Sequence, residues 1–185
     1  MLSITVAASE YEVLEALLAR IARGDKDALG ELYERTHAAV FGFAMSLCSS
    51  PADAEDILHD TYLAVYSSAG SYKAKGKPMA WIITIAKNLA RMRFRKSQRQ
   101  LDIADDDWER YLAAKEDVNP DERMLLRAAL KLLSDTERQI VMLHAVAGMK
   151  HREIAAILDI PTATAISKYS RALKKLAAAM EVKGG

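Results

Sequence analysis

Arg152-Glu153-Ile154-Ala155-Ala156-Ile157-Leu158, then Asp159-Ile160-Pro161, then a helical run from about Thr162 to Met180: these residues decide how the end of the chain folds. A short helix, a tight break and a longer helix form a helix-turn-helix pattern. Ala155 is small where two helices must cross closely. At about 100° per residue the last helix divides in two. Ile166, Tyr169, Leu173, Leu176 and Met180 fall on one face; Thr164, Lys168, Arg171 and Lys175 fall on the other, flanked by Ser167 and Lys174. The apolar face is expected to dock on its own domain. The basic face suits a major groove, with phosphates for the lysines and base edges for Thr164, Ser167, Lys168 or Arg171. An ordinary amphipathic helix would show the same division. The short turn and one-sided charge favour DNA binding.

Working outward, Ser134-Asp135-Thr136-Glu137 is a capping box that opens a helix running to Gly148. Asn119-Pro120-Asp121-Glu122 opens another, carrying Met124, Leu125, Ala128, Ala129 and Leu132. Residues 99–120 lose the apolar period and turn acidic, which predicts a flexible linker with a short helical piece around Trp108 and Tyr111. Upstream lie four more helices. Val13, Leu14, Leu17, Leu18 and Ile21 mark the first, which stops at Gly24. Asp25 caps the second. Ser50-Pro51-Ala52-Asp53 opens the third, whose buried stripe is Ala54, Ile57, Leu58, Thr61, Tyr62 and Val65. A lysine-rich loop, Ser71 to Pro78, leads into the fourth, reaching about Gln98. Its core side is expected to be Trp81, Ile82, Ile85, Leu89 and Met92.

A second polar sector lies on that fourth helix: Thr84, Lys87, Asn88, Arg91 and Arg95, preceded by Tyr72, Lys73, Lys75 and Lys77 in the loop. Basic groups with an amide can track a single strand and hold an unstacked base. Trp81 reads as core rather than as a stacking platform. On the third helix, Asp53, Glu55, Asp56 and Asp60 make a carboxylate-rich surface that repels DNA and suits a protein partner. For Asp53 and Glu55, a favourable acidic first turn explains the residues equally well.

Composition agrees. The 185 residues are 51% hydrophobic, with only 8 Gly and 4 Pro, so the chain folds and is all-α. A net charge of +1 hides blocks: six bases and no acid from Lys87 to Arg99, then seven acids against two bases from Asp102 to Asp117, then six bases against two acids from Lys150 to Lys175. Two basic blocks around an acidic one point to two polyanion-binding surfaces and a spacer, although solvated helix faces produce such blocks too. The single cysteine, Cys48, excludes a disulfide framework and fits a reducing compartment. The first residues do not read as a signal peptide, and no stretch is long and apolar enough for a membrane span. A cytoplasmic protein is expected.

At these residues the chain resembles the extracytoplasmic-function sigma factors. Gly24-Asp25-Lys26-Asp27-Ala28-Leu29 with Glu31-Leu32-Tyr33 is similar to the opening of the family's first domain. Asp53-Ala54-Glu55-Asp56-Ile57 leading to Asp60-Thr61-Tyr62 resembles its polymerase-clamp-binding helix. Trp81-Ile82 with Ile85-Ala86-Lys87-Asn88-Leu89 resembles the helix that melts and reads the minus-ten element. Leu133-Ser134 with Glu137-Arg138 and the helix-turn-helix resemble the domain that reads the minus-thirty-five element. Two positions depart: Met92 stands where an acid is usual, and Ala165-Ile166-Ser167-Lys168-Tyr169 replaces the commoner Val-Lys-Ser-Arg-Leu. The resemblance implies a first domain over 1–98, the acidic linker over 99–120 and a second domain over 121–185. It also implies core RNA polymerase and promoter DNA as partners, and an anti-sigma factor.

Two rival classes remain. Glu34-x-x-His37 and Asp56-x-x-His59 are half of a di-iron bundle pattern, but the fourth helix offers no acid, and Cys48 has no base partner. No catalysis, metal, cofactor, membrane partner or small-molecule substrate is therefore expected. A helix-turn-helix regulator acting without polymerase explains residues 121–180 but leaves the first domain unexplained, and a pure interaction module would need no DNA at all.

Overall fold

The computed structural model describes residues 2–48, 50–96 and 132–181. The acidic linker and the helix expected to start near Asp121 lie outside the described residues. Every element described is helical.

Four helices form the first bundle: α1 (Leu2–Ile21), α2 (Lys26–Met45), α3 (Pro51–Ser68) and α4 (Pro78–Lys96), with a 3-10 turn at Ala69–Ser71. Gly24, at φ 89, allows the sharp turn after α1. Asp25 then accepts the Ala28 N–H at 3.0 Å and Arg20 Nε at 2.9 Å, so one carboxylate starts α2 and fixes its approach. The Ala28 N–H, followed by Arg20, holds the Asp25 carboxyl below its usual pKa. Ser50 caps α3 by accepting the Asp53 N–H at 3.2 Å, with Pro51 in the first turn. The buried residues of α3 are the expected apolar stripe together with Pro51. Inside the bundle Thr36 donates to the Leu32 carbonyl and accepts from the Tyr62 hydroxyl, both at 2.6 Å, which satisfies two polar groups that burial would otherwise penalise.

The second unit contains α5 (Asp135–Val141), α6 (His151–Leu158) and α7 (Thr162–Glu181). Ser134 and Glu137 form the expected capping box: Ser134 N–H donates to Glu137 at 2.9 Å, and Glu137 N–H donates to Ser134 Oγ at 3.3 Å. The helix was expected to run regularly to Gly148. Instead it widens into a π turn over Met142–Val146. This lets the His144 imidazole donate from Nδ1 to the Met149 carbonyl at 2.7 Å, beside Gly148 at φ 64. Between α6 and α7, Asp159 takes the left-handed conformation (φ 57), which a short polar side chain tolerates. The Ile160 N–H closes the turn on the Ala155 carbonyl.

Two helix faces differ from expectation. On α4 the fully covered residues are Met79, Ile82, Ile83, Ala86 and Ala90, while Met92 is 67% exposed and Trp81, Ile85 and Leu89 are half-buried. On α7 the buried residues are Ala165 and Ala172, with Tyr169 and Leu176 beside them; Ile166 and Leu173 are 49% and 43% exposed. Close helix crossing explains both. Alanine brings the α7 and α4 backbones near their neighbours, and bulkier residues one position away turn outward. Met180 of the expected stripe has a side chain outside the described residues.

The two units meet. Ile140, Leu143, Met149, Ile154 and Ile157 lie in one apolar cluster with Leu14, Leu32, Phe43 and Ile82 of the first bundle.

Candidate nucleic-acid interface

The His144, His151 and Tyr169 rings hold the helix-turn-helix together. The two imidazoles stack at 4.2 Å, and Tyr169 meets His144 edge-on at 4.6 Å. Burial, then the neighbouring His144, lowers the His151 pKa. With that side of α7 held down, Ser167, Arg171 and Lys174 are exposed, and Thr164 and Lys168 are half-buried at the margin. Ser167 Oγ donates to the Thr164 carbonyl at 3.1 Å, and Arg171 Nε to the Ser167 carbonyl at 3.4 Å. Lys175 differs from the other cations: its ammonium lies 2.7 Å from Glu137, whose side chain is 5% exposed. Burial pushes the Glu137 carboxyl up, but hydrogen bonds from Lys175 and Ser134 outweigh it and hold its pKa low. No local pattern signals this pair, because its members are 38 positions apart.

On α4, Thr84, Asn88 and Arg91 are exposed, and Lys87 is half-buried. Thr84 Oγ1 donates to the Ala80 carbonyl at 2.7 Å. The Lys87 ammonium donates to the Ile157 carbonyl of α6, and burial, then Arg91, lowers its pKa. The Arg95 side chain lies outside the described residues. In the preceding loop Lys73, Lys75 and Lys77 are exposed. Tyr72 is held instead: its hydroxyl donates to Glu15 of α1 at 2.8 Å, and its ring lies 5.2 Å from Trp81. The same Glu15 oxygen accepts the Gly76 N–H at 2.7 Å, so one carboxylate clamps both ends of the loop. Burial, then Glu15, raises the Tyr72 pKa to about 12.

On α3, Asp53, Glu55 and Asp56 are exposed and Asp60 is half-buried. Arg93 of α4 pairs with Asp56 at 2.7 Å, and Ser50 Oγ donates to Asp53 at 2.9 Å. Beside the acids stand Leu63 at 55% and Tyr66 at 37% exposure. Leu63 follows Asp56 and Asp60 at helical spacing, so acid and apolar groups share one face. The missed signal was an apolar residue outside the buried stripe. Among the described residues there is no cluster of three or more possible metal ligands, and burial raises the Cys48 pKa to about 12, far from a reactive thiolate. No helix among the described residues is long and apolar enough to cross a membrane.

Comparison with known proteins agrees with this layout. Residues 32–100 match sigma-70 region 2, and residues 123–176 match sigma-70 region 4. The chain is 32% identical over 174 residues to the ECF RNA polymerase sigma factor SigK of Mycobacterium sp. (strain KMS), covering 88% of each protein. It is 30% identical over 182 residues to SigK of Mycobacterium tuberculosis (strain ATCC 25177 / H37Ra), covering 91% of this chain and 94% of that one. Among solved structures, it resembles the sigma factor RpoE of Bartonella quintana, in complex with the anti-sigma factor NepR (TM-score 0.62, 26% identity, 86% of this chain and 99% of that one). CnrH, in complex with the cytosolic domain of CnrY, shares the fold (TM-score 0.63, 24% identity, 92% of this chain and 99% of that one).

Proposed function

The chain belongs to the extracytoplasmic-function sigma factors, which direct RNA polymerase to promoters, and we propose that it divides that task between its two domains. Residues 1–98 bind polymerase and capture the minus-ten strand. Residues 121–185 read the minus-thirty-five duplex, and the acidic segment 99–120 spans the two. The observation that carries the second assignment is the exposed edge of α7, where Ser167, Arg171 and Lys174 stand clear of a helix anchored from behind. Thr164, Ser167, Lys168 and Arg171 take base edges, and Lys174 and Lys175 take phosphates. Thr84, Lys87, Asn88, Arg91 and Arg95, with Tyr72, Lys73, Lys75 and Lys77, take the strand.

Asp53, Glu55, Asp56 and Asp60 form the polymerase-facing surface. What supports this is their position on one helix with exposed Leu63, since acid and apolar groups together fit a basic amphipathic partner helix. An anti-sigma factor, as seen with RpoE, is a further partner of this chain. The protein works in the cytoplasm and has no catalytic activity of its own. A helix-turn-helix regulator acting without polymerase is not favoured, because the region 2 match gives the first domain a role. In vitro transcription with core polymerase over a genomic library, followed by mapping of start sites, is the test. Specific starts dependent on this chain are expected; none on any template would refute the assignment.

A further inference from the structure

We propose that the cleft between α4 and α6 is a binding site for a nucleotide, whose phosphates are held by Lys77, Lys87 and Arg152 and whose base is held by Asn88. The cleft measures about 370 Å³, within the range of about 300–1,000 Å³ that small-molecule sites occupy. Lys77, Lys87 and Asn88 line it at helical spacing along one side of α4, and Arg152 lines it from α6. Ala80 and Ala156 face it from the two helices, and their short side chains leave room that longer ones would fill.

Three cations therefore border one small space, and among the described residues none of them has a carboxylate partner. The one acid in the wall, Glu153, is 7% exposed and accepts the Lys150 N–H at 3.0 Å, so its carboxylate is committed to the start of α6. Lys87 donates only to a neutral acceptor, the Ile157 carbonyl. Burial, then the positive charge of Arg91, pulls the Lys87 pKa down, and Asp159 restores only part of it. A phosphate supplies what this wall lacks, because it accepts from ammonium groups and from a guanidinium fork together. The Asn88 amide is exposed and has no protein partner among the described residues, which leaves its donor and acceptor for a base edge. Ala80, Ala156 and Ile157 give a ring apolar surface to lie on.

Arg152 sets this site apart from the strand site, because no residue of α6 is assigned to DNA. Lys77, Lys87 and Asn88 serve both, so a bound nucleotide and the minus-ten strand exclude each other. That consequence, unlike the site itself, rests on the reading of α4 given above. It would make promoter opening respond to the nucleotide pool.

Isothermal titration calorimetry of the full chain with pyrophosphate, ADP and GDP is the test. Arg152→Ala removes a phosphate donor, and Ala156→Glu sets a carboxylate among the cations at an exposed position. One nucleotide per chain should bind, more tightly than pyrophosphate. Both variants should lose about tenfold or more in affinity while helicity by circular dichroism holds. Absence of saturable binding to wild type overturns the site, and so does equal binding by wild type and both variants. Pyrophosphate binding as tightly as both nucleotides overturns the base contact and with it the nucleotide class. In a second arm, a labelled random-sequence single-stranded oligonucleotide is titrated with and without saturating nucleotide. Nucleotide should weaken strand binding by wild type but not by Arg152→Ala, whose own strand affinity should be unchanged. If nucleotide binds as expected and strand affinity does not respond, the site stands and the α4 reading falls. If no nucleotide binds while Asn88→Ala weakens strand binding, the site falls and the α4 reading survives.

Discussion

The Lys175 ammonium lies 2.7 Å from the Glu137 carboxylate, tying the last helix to the capping box that begins α5. Glu137 is nearly covered and accepts from two donors, the Ser134 N–H and the Lys175 ammonium, so losing either leaves a buried acceptor short. Glu137→Gln should destabilise the second domain by about 1–3 kcal/mol at neutral pH, read by chemical denaturation. The folded pKa lies below the unfolded one, near about 4.3. The stabilisation is therefore complete above that pH and is lost as pH falls through the folded value. Wild type and variant should therefore converge in stability only on acidification below the ordinary glutamate pKa of about 4.3; a gap that does not narrow as the pH falls would exclude the linkage.

The same pair separates two lysines that are neighbours in sequence. Lys174→Ala should weaken binding to every upstream promoter variant and lower the salt slope by about one unit without altering stability. Lys175→Ala should also lower the melting temperature, because it strands Glu137. Equal melting temperatures for the two variants would contradict the ion pair.

Lys168→Ala and Arg171→Ala should flatten discrimination among single-base changes in the upstream element, by about 1–3 kcal/mol at the position each reads. A binding series at two salt concentrations checks this. Uniform weakening across all variants would mean that α7 only holds the backbone.

Asp60→Lys and Leu63→Asp should each reduce affinity for core polymerase by about tenfold or more while helicity is retained, since a charge reversal and a buried charge both oppose docking. Asp56→Lys is the less clean probe because it also breaks the pair with Arg93. Wild-type affinity in both of the first two variants would assign polymerase binding elsewhere.

Glu15→Ala should free the loop before α4, because the Tyr72 hydroxyl and the Gly76 N–H lose their shared acceptor. Faster hydrogen exchange at residues 72–77 and weaker single-strand binding are expected, with duplex binding unchanged. Unchanged exchange would show that Glu15 does not hold the loop.

Local rules carried much of the architecture. The Asp25, Ser50 and Ser134 caps and the α3 stripe were legible because caps and helical periodicity depend on residues three or four apart. The π turn at Met142–Val146 was not, since its geometry follows from a hydrogen bond made by His144 to a carbonyl beyond the helix end.

The sequence by itself determined that the chain is helical, where most of the described helices start, and which stretches carry acid or base. Only the tertiary structure decided which residues those faces leave free. Ala165 and Ala172, rather than Ile166 and Leu173, face inward because the depth at which two helices cross is set by the smallest residues between them. Lys175 and Lys87 became partners of Glu137 and Ile157 because contacts 38 and 70 positions apart form only once helices pack. Helical period records a residue's angle about its own axis, and what waits at that angle belongs to another part of the chain.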